Sequence, residues 1–406
     1  MAKSGGEWLS AGTILLGVAV VAMVWANAPW PGGYEALWGV TVPVAGGVPL
    51  RALVNDGLMT IFFFTVGLEI RSELHDGALS DVRRSALPLA AALGGMVVPA
   101  LIYVAVNAGG PSLAGWGIPV ATDIAFAVGV LALLGPRVPP QLRVLVLAVA
   151  IIDDVGAIVV IALFYSSGIS ALGLGVAALG VASVLVVRRL GVRSPWAFLP
   201  SGLIVWAGIE GAGIHPTLAG VVLGLLTPAV ASTAGAEPPT VRIQRSLKGL
   251  VDLGIMPLFA LANAGITLGS AQLSGEPLRV FIGVGLGLVL GKPIGIFLVA
   301  LVSTRLGLTR LPTGLGKVHL GLLGLVAGIG FTMSLFIAQL AFDDDAHLET
   351  AKLSILVASG LAALTTAIAG RVVLRAPRSA PHEKKSLPPV DPAQGRSSPD
   401  QKETRQ

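Results

Sequence analysis

Apolar runs of about 20 residues recur along the chain from Ala11 to Val373, parted by short polar stretches. At about 1.5 Å of rise per residue, each run matches a hydrocarbon core of about 30 Å. The pattern predicts twelve membrane helices, over 11–28, 53–70, 86–106, 113–134, 143–165, 171–187, 197–210, 213–226, 247–264, 278–302, 318–340 and 353–373. The runs at 197–210 and 213–226 are short. The first run is too long for the apolar region of a signal peptide, and no small-residue cleavage site precedes a polar mature domain, so it is read as a span. Two segments fall outside the pattern. Residues 31–50 (PGGYEALWGVTVPVAGGVPL) are too polar and too rich in Gly and Pro to span, and predict an external loop or short hairpin. Residues 376–406 are Pro, Ser and mixed charge, which predicts a disordered cytoplasmic tail after a membrane domain over 1–375.

Loop charges orient the helices. Arg71, Arg83 and Arg84 follow the second run, Arg137 and Arg143 the fourth, and Arg188, Arg189 and Arg193 the sixth. Arg242, Arg245 and Lys248 follow the eighth, and Arg305, Arg310 and Lys317 the tenth. The alternate loops hold only Lys352, with Arg51 and Arg279 at run ends. Basic residues collect on the cytoplasmic side, which places both termini there.

Composition narrows the class. The chain is 54% hydrophobic and 12% charged, with no cysteine, and its mean hydropathy is +0.84. An ordinary soluble domain is about a quarter charged, so a cytosolic enzyme, a disordered chain and a disulfide scaffold are all excluded. The formal charge of +5 sits in loops rather than on one polar face, so no nucleic-acid partner is expected.

The informative residues are charges inside apolar runs: Asp123, Asp153, Asp154 and Lys292. Each costs about 2.5–3.5 kcal/mol at the centre of a lipid-facing helix, so they must face one another or a wet cavity. A structural ion pair accounts for Lys292 with one aspartate and leaves at least two carboxylates over. Asp153 and Asp154, adjacent on a helix, point about 100° apart; one then binds the transported species while the other pairs with Lys292. Carboxylates are hard oxygen ligands suited to a small cation, and a carboxylate holding a proton cannot hold a cation as well. Such a site is an exchanger in outline.

Two runs look interrupted at their centres. The fourth has Gly117 and Pro119 ahead of Thr122 and Asp123; the eleventh has Gly324, Gly328 and Gly330 ahead of Thr332. Irregular backbone at this depth survives where it lines a cavity, although glycines in the eleventh run are also explained by close helix packing. Facing pairs of half-helix ends would need an acid at the positive ends and a base at the negative ones, and Asp123 and Lys292 have the right signs.

ATDIAFAVGVLALLG, IIDDVGAIVVIALFY, GIHPTLAGV, PLFALANAGI, GKPIGIF and GIGFTMSLFIA, in that order over about residues 9–375, resemble the NhaA family of sodium/proton antiporters. The resemblance implies a bacterial inner-membrane protein that extrudes Na+ or Li+ for protons, two per cation, for sodium and pH homeostasis. It implies inverted repeats over spans three to five and ten to twelve, with crossing discontinuous helices at spans 4 and 11. By motif position Asp154 is the direct cation ligand, Asp153 the partner of Lys292, and Thr122 and Asp123 lie at the crossing. A homodimer formed through the 31–50 segment is implied as well, with lipid as its solvent and no cofactor.

Other acids match family positions: Asp56 on the exit side, and Glu69 and Glu73 at the cytoplasmic funnel. Ordinary helix-end solvation explains all three equally. His215 matches a histidine linked to pH response, and a lone His beside Pro216 is also explained as structural. Asn263 is not assigned to the site. One patch departs from the family: Val241, Gln244 and Arg245 stand where a lysine and a glutamate–histidine pair serve pH sensing, which leaves the pH profile open. Asp252 is expected to pair with Lys248 at i,i+4. The weighed alternatives are a proton-coupled symporter of a small organic substrate, which lacks a mid-span Arg here, and an intramembrane enzyme. Acid clusters repeated on a second helix are missing for a prenyltransferase, and Lys292 would spoil the shared proton of an aspartyl protease.

Overall fold

The computed structural model describes residues 5–374 apart from 30–31, 44–46, 78, 167, 193, 231–236, 268 and 270. The expected tail at 376–406, and with it the division into two domains, lies outside the described residues. Within them the chain forms α1 (Gly5–Ala26), α2 (Gly33–Trp38), a two-stranded hairpin, α3 (Leu50–Asp76) and α4 (Val82–Val106). Then come α5 (Pro111–Val120, wound as a 3-10 helix), α6 (Ile124–Leu133), α7 (Pro140–Phe164), α8 (Ala171–Arg189), α9 (Leu199–Gly211) and α10 (Leu218–Leu226). The chain closes with α11 (Pro239–Asn263), α12 (Gly275–Arg305), α13 (Lys317–Ala327), α14 (Phe331–Ala341) and α15 (Asp345–Val373).

Each apolar run is helical, and the fourth and eleventh are the two that break. Among the described residues seven helices are long and apolar enough to cross a membrane: α3, α4, α7, α8, α11, α12 and α15. The pairs α5–α6 and α13–α14 bend by 46° and 49°, which makes nine if each pair is one span. α1 is apolar over a shorter length, Ala11–Ala26, and α9 and α10 have 13 and 9 residues. The architecture is that of an all-helical membrane protein.

Several boundaries differ from expectation: α1 begins at Gly5 rather than 11, α3 runs on to Asp76 rather than 70 and α10 begins only at Leu218 rather than 213; two further ones lie at polar ends that hydropathy alone leaves out. α15 begins at Asp345 rather than at 353, because the Asp344 carboxylate caps it by accepting the His347 N–H at 3.0 Å. α11 begins at Pro239, whose missing N–H suits a first helical turn.

Within 31–50 the described residues form a short helix, Gly33–Trp38, and two paired strands. Thr41–Val42 pairs antiparallel with Val48–Pro49, Val42 opposite Val48. Tyr34 of α2 is buried; its hydroxyl donates to the Leu261 carbonyl at 2.7 Å and accepts the Gly265 N–H at 3.2 Å. Burial pushes this phenol up to about 12, so it remains a donor at any physiological pH.

Three helices contain a turn wound wider than an α-helix: Leu53–Leu58 in α3, Val251–Ile255 in α11 and Gly287–Gly291 in α12. The last two sit just ahead of Pro257 and Pro293. A proline offers no N–H to the carbonyl four residues back and its ring crowds that carbonyl; a wider turn relieves both. In α12 it also sets the position of Lys292.

The polarity of the bundle is that of a protein solvated by lipid. Leu163, Leu172, Leu179 and Val372 face outward, while Asp123, Asp153, Asp154 and Lys292 are all less than 5% exposed. Small residues bring the helices close: a Cβ on Gly224 of α10 would lie 2.6 Å from the Phe64 carbonyl oxygen of α3. Gly224→Leu is therefore expected to force α3 and α10 apart at a cost of about 1–3 kcal/mol, read as a lower melting temperature of the detergent-solubilised protein; an unchanged value would refute this contact.

Candidate cation and proton site

The site is built where the two interrupted runs meet. α5 ends at Val120 and the next three residues are extended. Its backbone is held from outside: Tyr165 Oη accepts the Gly117 N–H at 3.1 Å and donates to the Ala114 carbonyl at 2.8 Å, and Tyr103 donates to the Ser112 carbonyl at 2.7 Å. On the other run, a Cβ on Gly328 would lie 2.7 Å from the Leu288 carbonyl. Close packing and the helix break are thus both true of this segment. The Asp123 N–H donates to the Ile329 carbonyl at 2.7 Å, and Ser334 donates to the Ile118 carbonyl at 2.8 Å. These bonds satisfy carbonyls that the breaks would otherwise leave bare at membrane depth.

Asp123 joins the two helix N-termini. One carboxylate oxygen accepts the Phe126 N–H of α6 at 2.9 Å; the other accepts the Thr332 N–H of α14 at 3.0 Å and its hydroxyl at 2.5 Å. A negative charge with several donors, at the positive ends of two helices, is favoured by dipole and capping alike. Its oxygens are occupied by the fold.

Asp153 and Asp154 lie on α7, fully buried. Lys292 Nζ donates to Asp153 Oδ2 at 2.8 Å and also to the Thr122 hydroxyl. That hydroxyl lies 2.7 Å from Asp153 Oδ2 and 3.0 Å from the Ala327 carbonyl at the end of α13. Lys292 therefore meets the carbonyl end of that half-helix through Thr122 rather than directly. Asp154 turns away from this pair and lies in electrostatic range of Glu69 on α3, as well as of Asp153, Asp123 and Lys292. One oxygen of each member, Asp153 Oδ1 and Asp154 Oδ1, is buried with no hydrogen-bond donor. Carboxylate oxygens of this kind are hard donors, the type suited to a small cation.

The remaining expected residues lie on either side of this centre. Glu69 is in electrostatic range of Glu73, Lys248 and Asp252, and Lys248 pairs with Asp252 at 2.5 Å. Nearby, Arg245 pairs with Glu237. On the hairpin side, His215 Nε2 is 3.6 Å from Asp56 Oδ1, its Nδ1 is 2.8 Å from Thr217 Oγ1, and its ring meets Phe336 edge-on at 5.3 Å. The sequence reasoning missed Ser334, the Ala327 carbonyl and a set of side-chain amides around Asn263. Their signal, a polar residue inside an apolar run, was present but did not say which distant backbone group it serves.

The chain matches the family model described as Na+/H+ antiporter 1 over residues 7–369, a stretch that contains both breaks together with Asp123, Asp153, Asp154 and Lys292. It is 48% identical over 412 residues to the Na(+)/H(+) antiporter NhaA 2 of Sorangium cellulosum (strain So ce56), covering 90% of this chain and 88% of that protein. It is 54% identical over 366 residues to the Na(+)/H(+) antiporter NhaA of Acidovorax sp. (strain JS42), covering 87% of each. The chain belongs to the Na+/H+ antiporter 1 family.

Removing one partner of a buried ion pair strands the other charge, at a cost of about 3–5 kcal/mol. Lys292→Ala is expected to lower thermal stability accordingly, and Asp153→Asn in the same chain to recover most of it. If Lys292→Ala melts like the parent, the pair carries no stability.

Proposed function

We propose that this protein is a secondary transporter, not an enzyme, that exchanges Na+ or Li+ for protons across the bacterial inner membrane by alternating access. The observation that carries the reading is the buried Asp153–Asp154 pair with one unclaimed oxygen on each, in a chain whose relatives are named for Na(+)/H(+) antiport. Asp154 is the direct cation ligand. Asp153 shares its charge between Lys292 and the cation, and Thr122 stands beside it as a neutral oxygen donor. Asp123 neutralises the half-helix ends and keeps the broken backbone in register. From the inside, Na+ displaces protons from the carboxylates; after the bundle rearranges, protons on the outside displace Na+. Two protons per cation make the cycle electrogenic, so membrane potential drives it toward sodium and pH homeostasis.

The arrangement proposed around the site has twelve spans, with α5–α6 and α13–α14 as crossing broken spans. Each break lies in the middle member of a three-span repeat, α4 to α7 and α12 to α15. The tight approach of Gly94 on α4 to Gly295 on α12 and the bonds between the two breaks support this pairing. Basic loops put the hairpin outside and both termini in the cytoplasm. Glu69 and Glu73 then lie on the inward approach to Asp154, Asp56 and His215 on the outward one, and the hairpin offers an edge through which a second copy pairs. His215 is the candidate for the pH response, since Val241, Gln244 and Arg245 lack the family's sensing groups.

Asp154→Asn is expected to abolish Na+-dependent collapse of a pH gradient in inside-out vesicles; retained exchange would remove Asp154 from the ligand role. In the parent protein the Na+ concentration for half-maximal exchange should rise toward acid pH, by up to about tenfold per pH unit for each competing proton. A pH-independent value would contradict shared occupancy.

A further inference from the structure

On the hairpin side a cavity of about 370 Å³ opens between α3, α14 and the turn ahead of α10 that carries His215, lined among others by Arg51, Asn55, Asp56 and Gln339. At its edge three side-chain amides from three separate runs are bonded in series, with a longer return bond from Asn55 Nδ2 to Asn263 Oδ1 at 3.4 Å. Asn263 Nδ2, at the end of α11, donates to Asn55 Oδ1 at 2.8 Å, and Asn55 Nδ2 donates to Gln339 Oε1 of α14 at 2.6 Å. Asn263 is 1% exposed and is anchored to its own helix by a bond to the Phe259 carbonyl at 2.9 Å. Asn55 is held forward by the wide turn Leu53–Leu58. The chain ends at Gln339 Nε2, which is buried without an acceptor. Next to it the ring of Phe336 packs on Phe63 and Phe259 at 5.2 and 6.2 Å, and all three rings are buried.

We infer that Asn55, Asn263 and Gln339 are the outer latch of the transport path, a set of gating residues that hold the hairpin side shut until the cation is released. The inference rests on the alternating-access reading above. α14 belongs to the broken pair bonded to Asp123, whereas among the described residues the side-chain bonds of Asp123 and Lys292 go to α6, α7, α14 and Thr122 rather than to α3 or α11. Opening toward the hairpin side requires α14 to part from α3 and α11, and the amide chain crosses that divide.

Amides suit the polar edge of a latch. A hydrogen bond between amides has a small net worth, because water replaces it when the groups separate, and water is at hand in the adjoining cavity. The buried rings of Phe336, Phe63 and Phe259 cross the same divide and part with it, so the amides supply the directional part of the closure and the rings its apolar part. The unsatisfied Gln339 Nε2 adds a reason to open, since a buried donor without an acceptor is costly and gains one on hydration.

The chain has no cysteine, so a single reporter can be placed in the otherwise native protein. Ala260 is fully buried, one turn below Asn263 on the same face of α11. Ala260→Cys in oriented vesicles, challenged from the hairpin side with a membrane-impermeant maleimide, reads the open fraction. Gln339→Leu is expected to raise the labelling rate by about tenfold, Asn55→Ala likewise, and Gln339→Glu, which keeps the acceptor oxygen, to stay near the parent rate. Size-exclusion profiles show which variants remain folded, and either of the first two suffices. A folded Gln339→Leu or Asn55→Ala protein labelled at the parent rate, or either labelled faster from both faces alike, overturns the latch. Na+-dependent pH-gradient collapse by the Ala260→Cys parent is measured alongside. A parent that does not exchange ions while labelling responds as expected sinks the antiport reading and keeps the latch; normal exchange with unresponsive labelling does the reverse.

Discussion

A charge held at membrane depth must be answered by another charge, by fixed dipoles or by the ion it carries, and this fold provides one of each. Lys292 answers Asp153 across α12 and α7 at 2.8 Å. The N-termini of α6 and α14 answer Asp123. Asp154 receives no comparable partner, and one oxygen of Asp153 is likewise unclaimed. Three negative groups against one positive leave the centre short of positive charge, and a proton or a small cation is what removes the imbalance. Membrane-buried charge is costly, and an unbalanced centre of this kind fits the role in ion exchange proposed above.

The breaks in the two runs are the means by which the fold manages this. A continuous helix consumes its own N–H groups; an interrupted one frees several, all pointing toward the break. Asp123 can be satisfied away from water only because two interrupted helices present their free N–H ends to the same point. The same breaks free carbonyls, and Thr122, Ser334 and the Asp123 N–H take these up. Prolines play the matching part in the unbroken spans, where the wide turns before Pro257 and Pro293 shift the helix face and in α12 set the reach of Lys292.

Much of this was legible in the sequence, unevenly. Apolar length is a strong signal, so every run was found as a helix, and ionisable residues inside those runs marked Asp123, Asp153, Asp154 and Lys292 without any structure. Helix ends rich in polar residues were not legible, because hydropathy is silent where a helix leaves the lipid, as α11 and α15 do. Pairing across the fold was legible only where sign dictated it. Lys292 needed an aspartate, but nothing local told that Asp123 would cap a helix beginning 208 residues later at Phe331. The amides at Asn55, Asn263 and Gln339 read as incidental polarity near span ends, since hydrogen bonding between distant runs leaves no periodic trace.

The central claim is that Na+ and protons occupy the same carboxylates in turn. Adding Na+ to purified protein in weak buffer, with a pH-sensitive dye reporting free protons, measures this without vesicles or a gradient. The account predicts proton release that saturates with Na+ and is lost in Asp154→Asn. Na+ bound by the parent protein with no proton released would contradict it.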